Sequence, residues 1–376
     1  MGKDSKTKKE PGKVGRYLKK KDVVISFQRY AIDAMGSMAL GLFASLLMGT
    51  ILNTVGVQLT NAFGEAKFFE ILIEMGAFAM QATGPAMAVA IGHALHAAPL
   101  VLFSLAGVGI AANSLGGAGG PLAVLIVAIF AAEFGKLVSK ETKIDILVTP
   151  LVTIFVGVGL SLWWAPGIGA VAAAIGNAIV WATNMQPFLM GILVSVIVGI
   201  TLTLPISSAA ICAALGLVGL AGGAATAGCC AQMVGFAVMT YKENGPGGLI
   251  AQGLGTSMLQ VPNIMKNPRI WIPPTLTAAI TGPIATLVFK LEMNGPPISS
   301  GMGTSGMVGP IGVIAGWATP SERAIEMGAT ATAATAMDWI GLLLICIVLP
   351  AVLTWLFGQL FRKMGWFTSE DVKLPL

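Results

Sequence analysis

The side chains able to do chemistry are few, and most stand in apolar surroundings. The only histidines are His93 and His96. Their i, i+3 spacing puts them on one helical face, but Pro99 follows and no other ligand clusters there, so neither a metal site nor a catalytic pair is expected. Cys212, Cys229, Cys230 and Cys346 all lie in apolar segments and read as small buried hydrophobes without metal-ligand spacing. No Walker A sequence, Rossmann fingerprint or Cys–His arrangement is present. No cofactor and no catalytic residue of its own is therefore expected. Carboxylates remain. An ionisable group at mid-span costs about 2.5–3.5 kcal/mol even on lenient scales, so each one in an apolar run needs a reason. Glu74 and Asp338, the latter between Met337 and Trp339 inside an apolar run, are candidates for ion or solute contact. Glu133 near Lys136 reads as an interfacial pair, and Asp33 as interfacial.

Hydroxyls and glycines offer a second kind of chemistry. Two apolar stretches are broken: 203–223 (TLPISSAAICAALGLVGLAGG) and 294–316 (NGPPISSGMGTSGMVGPIGVIAG). Both open with Pro-Ile-Ser-Ser, at Pro205–Ser208 and Pro297–Ser300. A further echo links Gly253-Leu254-Gly255-Thr256-Ser257 with Gly301-Met302-Gly303-Thr304-Ser305. Proline stops a helix and glycine lets the backbone turn. The freed N–H and C=O groups cannot face lipid, so they are buried in protein or line a cavity. Repeated, Gly/Pro-interrupted segments are a common way to build a transport site. The expected solute-binding residues are Ser207, Ser208, Asn294, Ser299, Ser300, Gly301, Gly303, Thr304 and Ser305, facing one another across a polar cavity. Such a wall suits a hydroxylated or anionic solute.

The elements that must hold these residues follow from composition. Of 376 residues, 55% are hydrophobic and only 10% charged, against about 25% charged in soluble domains. A soluble chain of this length needs a wettable surface; a bilayer removes that need. The expected fold is an all-α polytopic membrane protein of about ten transmembrane helices plus two re-entrant hairpins. The spans, each about 20 apolar residues, fall near 31–53, 69–93, 95–113, 120–138, 145–165, 169–184, 187–204, 218–240, 271–290 and 330–358. Residues 1–21 carry nine basic side chains against Asp4 and Glu10, leaving 13 basic and 15 acidic elsewhere. That tail has no aromatic interleaving, and no nucleic-acid partner is expected. With Lys136–Lys143, Arg362, Lys363 and Lys373 it places both termini in the cytoplasm by the positive-inside rule, or against anionic lipid. The expected location is the bacterial cytoplasmic membrane, multi-pass in the lipid bilayer. Counting spans puts both hairpins on the outer side.

Ordered words along residues 25–365 carry a resemblance. They are the Gly116–Pro121 turn before a span, Gly135-Lys136-Leu137-Val138, Thr149-Pro150-Leu151-Val152, Gly199 to Ile206, and the Gly295–Pro310 loop. Through them the chain resembles the membrane-embedded IIC subunit of the phosphoenolpyruvate-dependent sugar phosphotransferase system, in a divergent branch of its glucose-superfamily form. The resemblance implies a homodimer with a basic cytoplasmic tail (1–25), an N-terminal dimerisation domain (26–165), a C-terminal transport domain (166–362) and a cytoplasmic tail (363–376). It places re-entrant hairpins near 205–220 and 294–312, a sugar between them, and separate soluble IIA and IIB partners. Two departures stand out. Typical members place a His just before the first Pro-Ile, where this chain has Gly199–Leu204; they also carry a Glu in the second hairpin, where it reads Asn294-Gly295-Pro296-Pro297. Phosphoryl transfer needs a group to take the hydroxyl proton or orient the attack. The resemblance therefore implies a IIC-type permease subunit, with a non-phosphorylating secondary transporter and a membrane sensor or regulator as alternatives.

Overall fold

The computed structural model describes residues 13–374; residues 1–12, which hold much of the basic tail, and 375–376 lie outside the described residues. Helix is the only regular structure among the described residues apart from one isolated antiparallel bridge, Gly219 to Met293. That is what a lipid-immersed backbone requires, because a helix satisfies its own N–H and C=O groups. A short helix α1 (Lys13–Lys20) leads into α2 (Gln28–Phe63). Next come α3 (Lys67–Gln81), α4 (Thr83–Ala94), α5 (Pro99–Gly116) and α6 (Gly120–Val138). Beyond them lie α7 (Asp145–Thr183), α8 (Pro187–Thr203), α9 (Ser208–Leu215) and α10 (Gly219–Met239). Large apolar side chains such as Phe155, Trp163, Trp181 and Trp355 are exposed on the outer helices, as in a protein solvated by hydrocarbon.

Small residues let the rods approach. A Cβ on Gly84 would lie 2.3 Å from the Gly109 carbonyl oxygen, and one on Gly228 would lie 1.9 Å from that of Ser195. Both contacts are backbone to backbone, the close approach that small-residue faces permit in membranes. Glycine has a different task at Gly117. Its φ of +52° reverses the chain between α5 and α6, so that Val101 returns to Gly135.

Two expectations need correction here. The spans expected at 145–165 and 169–184 are one helix, α7, of 39 residues with Pro150 and Pro166 inside. Its rise of about 58 Å is roughly twice the hydrocarbon thickness. A turn at Pro166 would strand several backbone groups in lipid, whereas a proline inside the helix removes one hydrogen bond. Likewise, α8 is not followed by a crossing to the other side. It runs parallel to α10, with Ser195 and Gly199 against Gly228 and Thr203 against Gln232, and 204–217 carries the chain back to where α10 begins.

The ends of α10 define the two faces, about 31 Å apart for its 21 residues. One face, the terminus-bearing face, carries the two ends of the described chain, Lys13 and Leu374. There Arg362 grips Glu243 (2.6 and 3.2 Å), and Lys21 holds Glu141 at 2.6 Å. Lys136 donates to the carbonyls of Asp22 (2.7 Å) and Leu95 (2.8 Å) and pairs with Glu133 at 3.0 Å. The other face carries the mouths of the two broken segments at 203–223 and 294–316, marked by the Gly219–Met293 bridge.

Candidate solute-binding site

Three broken segments, not two, meet inside the molecule. The first is the 204–217 return, where Ser207 caps α9 by accepting from the Ala210 N–H at 3.2 Å. The second begins after the rod α13 (Pro268–Val288). It descends through a 3-10 turn, Pro297–Gly301, and climbs back along α14 (Val308–Ala318), with Ser299 against Gly312 and Asn294 against Gly316. The third enters from the terminus-bearing face. It comprises α11 (Tyr241–Ile250), a tip at Gly255–Ser257 and the return helix α12 (Val261–Lys266). The expected spans stop near 240 and resume near 271, so this segment falls between them; the G-x-G-T-S echo is the one sequence signal for it.

The echoed words are the points of contact. The Thr304 hydroxyl donates to the Gly253 carbonyl at 2.5 Å, joining the two G-x-G-T-S tips. The Ser208 hydroxyl donates to the Gly301 carbonyl at 2.7 Å, joining the first and second hairpins. Ser300 fixes the same joint by donating to the Leu217 carbonyl at 2.6 Å. Beneath the tips, Thr203 is 2.8 Å from the Ser257 hydroxyl and 3.3 Å from Gln232, which also accepts from the Trp271 indole at 3.0 Å. These buried groups are partnered, as a low-dielectric interior demands.

Between the tips and the N-terminal helices lies a half-open cavity of about 220 Å³. Ser207, Ser208, Met302 and Ser305 line it from the first two hairpins, and Gly255, Thr256 and Met258 from the third. Leu42, Leu46, Met80, Thr83 and Asn113 face them. No ionisable side chain is among its lining residues. Ser305 is 2% exposed, yet its hydroxyl has no hydrogen-bond partner among the described residues. An unmet buried hydroxyl costs about 1–3 kcal/mol, and Ser305 carries that cost at a position that borders the cavity.

The expected site residues thus divide. The cavity brings Ser207, Ser208 and Ser305 together. Ser300 and Thr304 are buried in the joints between hairpins, and Ser299 is buried against Gly312 within its own hairpin, rather than on the wall. Gly301 and Gly303 shape it through their backbones: a Cβ on Gly301 would sit 2.6 Å from the Ser208 carbonyl oxygen, and Gly303 has φ +52°. Asn294 lies at the far face, donating to Glu292 at 2.9 Å in a separate dish that also holds Asp338. Asp338 is at the very start of its span rather than within it: it stands in the first turn of α15 (Ala336–Lys363), where it completes a capping box with Thr335. Glu74 is exposed on α3, away from the cavity. Asn113 and Thr83 were missed, since nothing in an apolar run marks which way a lone polar residue points.

Comparison with curated proteins gives no match, and neither does comparison with solved structures. A family model does match: residues 32–374 fit that described as "Phosphotransferase system, EIIC". With nearly the whole helical bundle covered, the chain belongs to the phosphotransferase system EIIC family.

Proposed function

We propose that this chain is a IIC-type permease subunit of a phosphotransferase system that binds and translocates a small neutral polyhydroxylated solute of the sugar class. The observation that carries this reading is the unpartnered Ser305 hydroxyl on a cavity formed where three broken segments converge. A charged solute would be desolvated there without a counter-charge, whereas hydroxyls exchange hydrogen bonds with Ser207, Ser305, Thr256 and Asn113. At about 220 Å³ the cavity is smaller than the roughly 300–1,000 Å³ typical of drug-sized ligands, which suits a monosaccharide. The test is uptake by right-side-out or reconstituted vesicles loaded with phosphoenolpyruvate and the soluble proteins of such a system. Accumulation of phosphorylated sugar is expected, and its loss in Ser305→Ala. Absence of sugar-dependent stabilisation across a panel of monosaccharides and polyols would sink the reading.

The reading includes separate soluble IIA and IIB partners, residence in the bacterial cytoplasmic membrane, and a cytoplasmic location for the face bearing the termini. The lysines and arginines gathered on that face support the orientation. It also includes a homodimer formed through the first half. Glu74 stands exposed among Ile71, Met75 and Phe78, and a carboxylate on such a face is better covered by protein than by lipid. A division near residue 165 is supported by the core, where one cluster draws on Ala34 to Ala165 with only Met258, Leu259 and Val261 from beyond.

A second reading has its own support. No His or carboxylate lines the cavity, so the wall offers no side chain to take a proton from a sugar hydroxyl. A non-phosphorylating transporter on the same fold would deliver unmodified solute. Mass analysis of the transported sugar separates the two.

A further inference from the structure

The third hairpin is held from outside the cavity, by the end of the chain. Phe367 and Val372 are 2% and 0% exposed and pack with Phe236, Met239, Ile264 and Phe361 against the stem of the hairpin. Around these anchors the backbone of the C-terminal segment is read by amide side chains. Asn244 on the first arm donates to the Val372 carbonyl at 3.0 Å and accepts from the Leu374 N–H at 2.8 Å. On the return arm, Asn263 donates to the Lys373 carbonyl at 2.8 Å, and just before it Gln260 donates to that of Val372 at 3.1 Å.

The amides continue inward. Asn263 also donates to the side-chain Oε1 of Gln260 at 2.8 Å. Gln260 in turn donates to Gln252 at 2.8 Å, and Gln252 to the Thr240 hydroxyl at 2.9 Å. Gln252 and Gln260 are fully buried, and Asn263 nearly so. The Gln252–Gln260 bond ties the two arms together just below Gly255 and Thr256, which line the cavity. A stack of buried amides is costly unless every donor is met. At its inner end the stack is met by the Gly248 carbonyl, 3.0 Å from the Gln252 amide; at its outer end the acceptors for Gln260 and Asn263 are carbonyls of residues 372 and 373, outside the hairpin.

We propose that Gln260 and Asn263, with the C-terminal segment 366–374 as their partner, are positioning residues for the cavity's third wall. They hold the Gly255–Met258 tip against Thr304 and Ser305, so that releasing the segment loosens the wall on the terminus-bearing side. The inference rests on the reading of the cavity as the solute site, but its test does not require a solute. Hydrogen exchange of the full-length protein in detergent or nanodiscs reads the tip directly. Asn263→Leu keeps the volume and removes both donations, and Asn244→Ala removes a contact from the other arm. Either is expected to raise exchange in 251–260 by about tenfold, the loss of one net hydrogen bond, while 187–203 and 219–239 stay protected. A segment that only packs on the surface would give faster exchange in 366–374 and 241–247 with the tip unchanged; that result overturns the proposal. Monosaccharide-dependent stabilisation, measured in parallel, separates the two claims. A loosened tip without any sugar response leaves the positioning intact and removes the solute site; an unmoved tip with a normal sugar response does the reverse.

Discussion

Ser305 and Gly303, two residues apart, make opposite predictions. Ser305 buries a hydroxyl without a partner, so Ser305→Ala removes a desolvation cost. The unliganded protein should keep or gain stability, up to about 1–3 kcal/mol, while solute affinity falls by roughly tenfold to a hundredfold. A thermal-shift measurement with and without sugar checks both halves; a Ser305→Ala protein that is destabilised and binds normally contradicts the assignment. Gly303 has φ +52°, and a Cβ there would meet that of Cys229 at 2.7 Å. Gly303→Val should therefore cost stability as well as binding, about 1–2 kcal/mol from the backbone alone. At the N-terminus, Asp22 sits between Arg29 and His96. The Arg29 guanidinium, opposed by partial burial and aided by His96, holds its carboxyl well below the usual carboxylate range. A depressed value means that the stabilisation is complete above about pH 4 and is lost only as pH falls through the folded value. Trypsin at neutral pH should accordingly release the α1 segment faster from Asp22→Asn than from the unaltered chain, whereas pepsin, which is active in acid, should release it from the unaltered chain only as the pH falls well below about 4; equal tryptic rates would contradict the role. Ser207, Ser208 and Ser305 were legible from sequence because they sit beside chain-breaking Pro or Gly. Asn113 was not, because orientation on a continuous helix is set by packing.

Elements were legible where composition alone defines them and obscure where a break has two meanings. The run Gly219–Met239 could only be a buried rod. Pro166 was ambiguous: the same residue ends a helix in water and is tolerated within one in lipid. If α7 is continuous there, Pro166→Ala restores a hydrogen bond and should leave the melting temperature unchanged or raised; a marked fall would mean that the chain turns at that point. The third hairpin was obscured by its charges, since Lys242, Glu243 and Lys266 at its stem resemble an ordinary loop. Its tip is apolar and Gly-rich, and its polar groups, Gln252 and Gln260, are satisfied by each other and by distant chain. Rod-to-rod contact depends on glycine in the same non-local way. Gly228→Leu would drive a side chain into the Ser195 carbonyl and should separate α8 from α10. The expected cost is about 1–3 kcal/mol or more, visible as a lower unfolding temperature, whereas the same change at Gly159, which meets nothing within 4 Å, should be silent.

At the scale of the whole molecule, the broken segments are organised by direction. The first two enter from the face opposite the termini and the third from the terminus-bearing face, so the cavity is closed by structures rooted on both sides. Such an arrangement fits alternating access, in which one side loosens while the other holds. Sequence reading placed the first two hairpins together by counting spans. The structure reaches the same placement by another route, since merging 145–165 with 169–184 removes a crossing and the return after α8 removes another. The sidedness is directly measurable. Thr142 and Ser369 are exposed on the face of the termini, and Thr330 is exposed on the other. Single cysteines at these positions, probed in intact cells with a membrane-impermeant maleimide, should give labelling of Thr330→Cys from outside. Thr142→Cys and Ser369→Cys should be labelled only after the membrane is opened. Inversion of all three would reverse the orientation and leave the fold unchanged. Labelling of Thr142→Cys and Ser369→Cys from opposite sides would break the topology itself, because Lys21, Lys136, Arg362 and the C-terminal segment are joined through one continuous face.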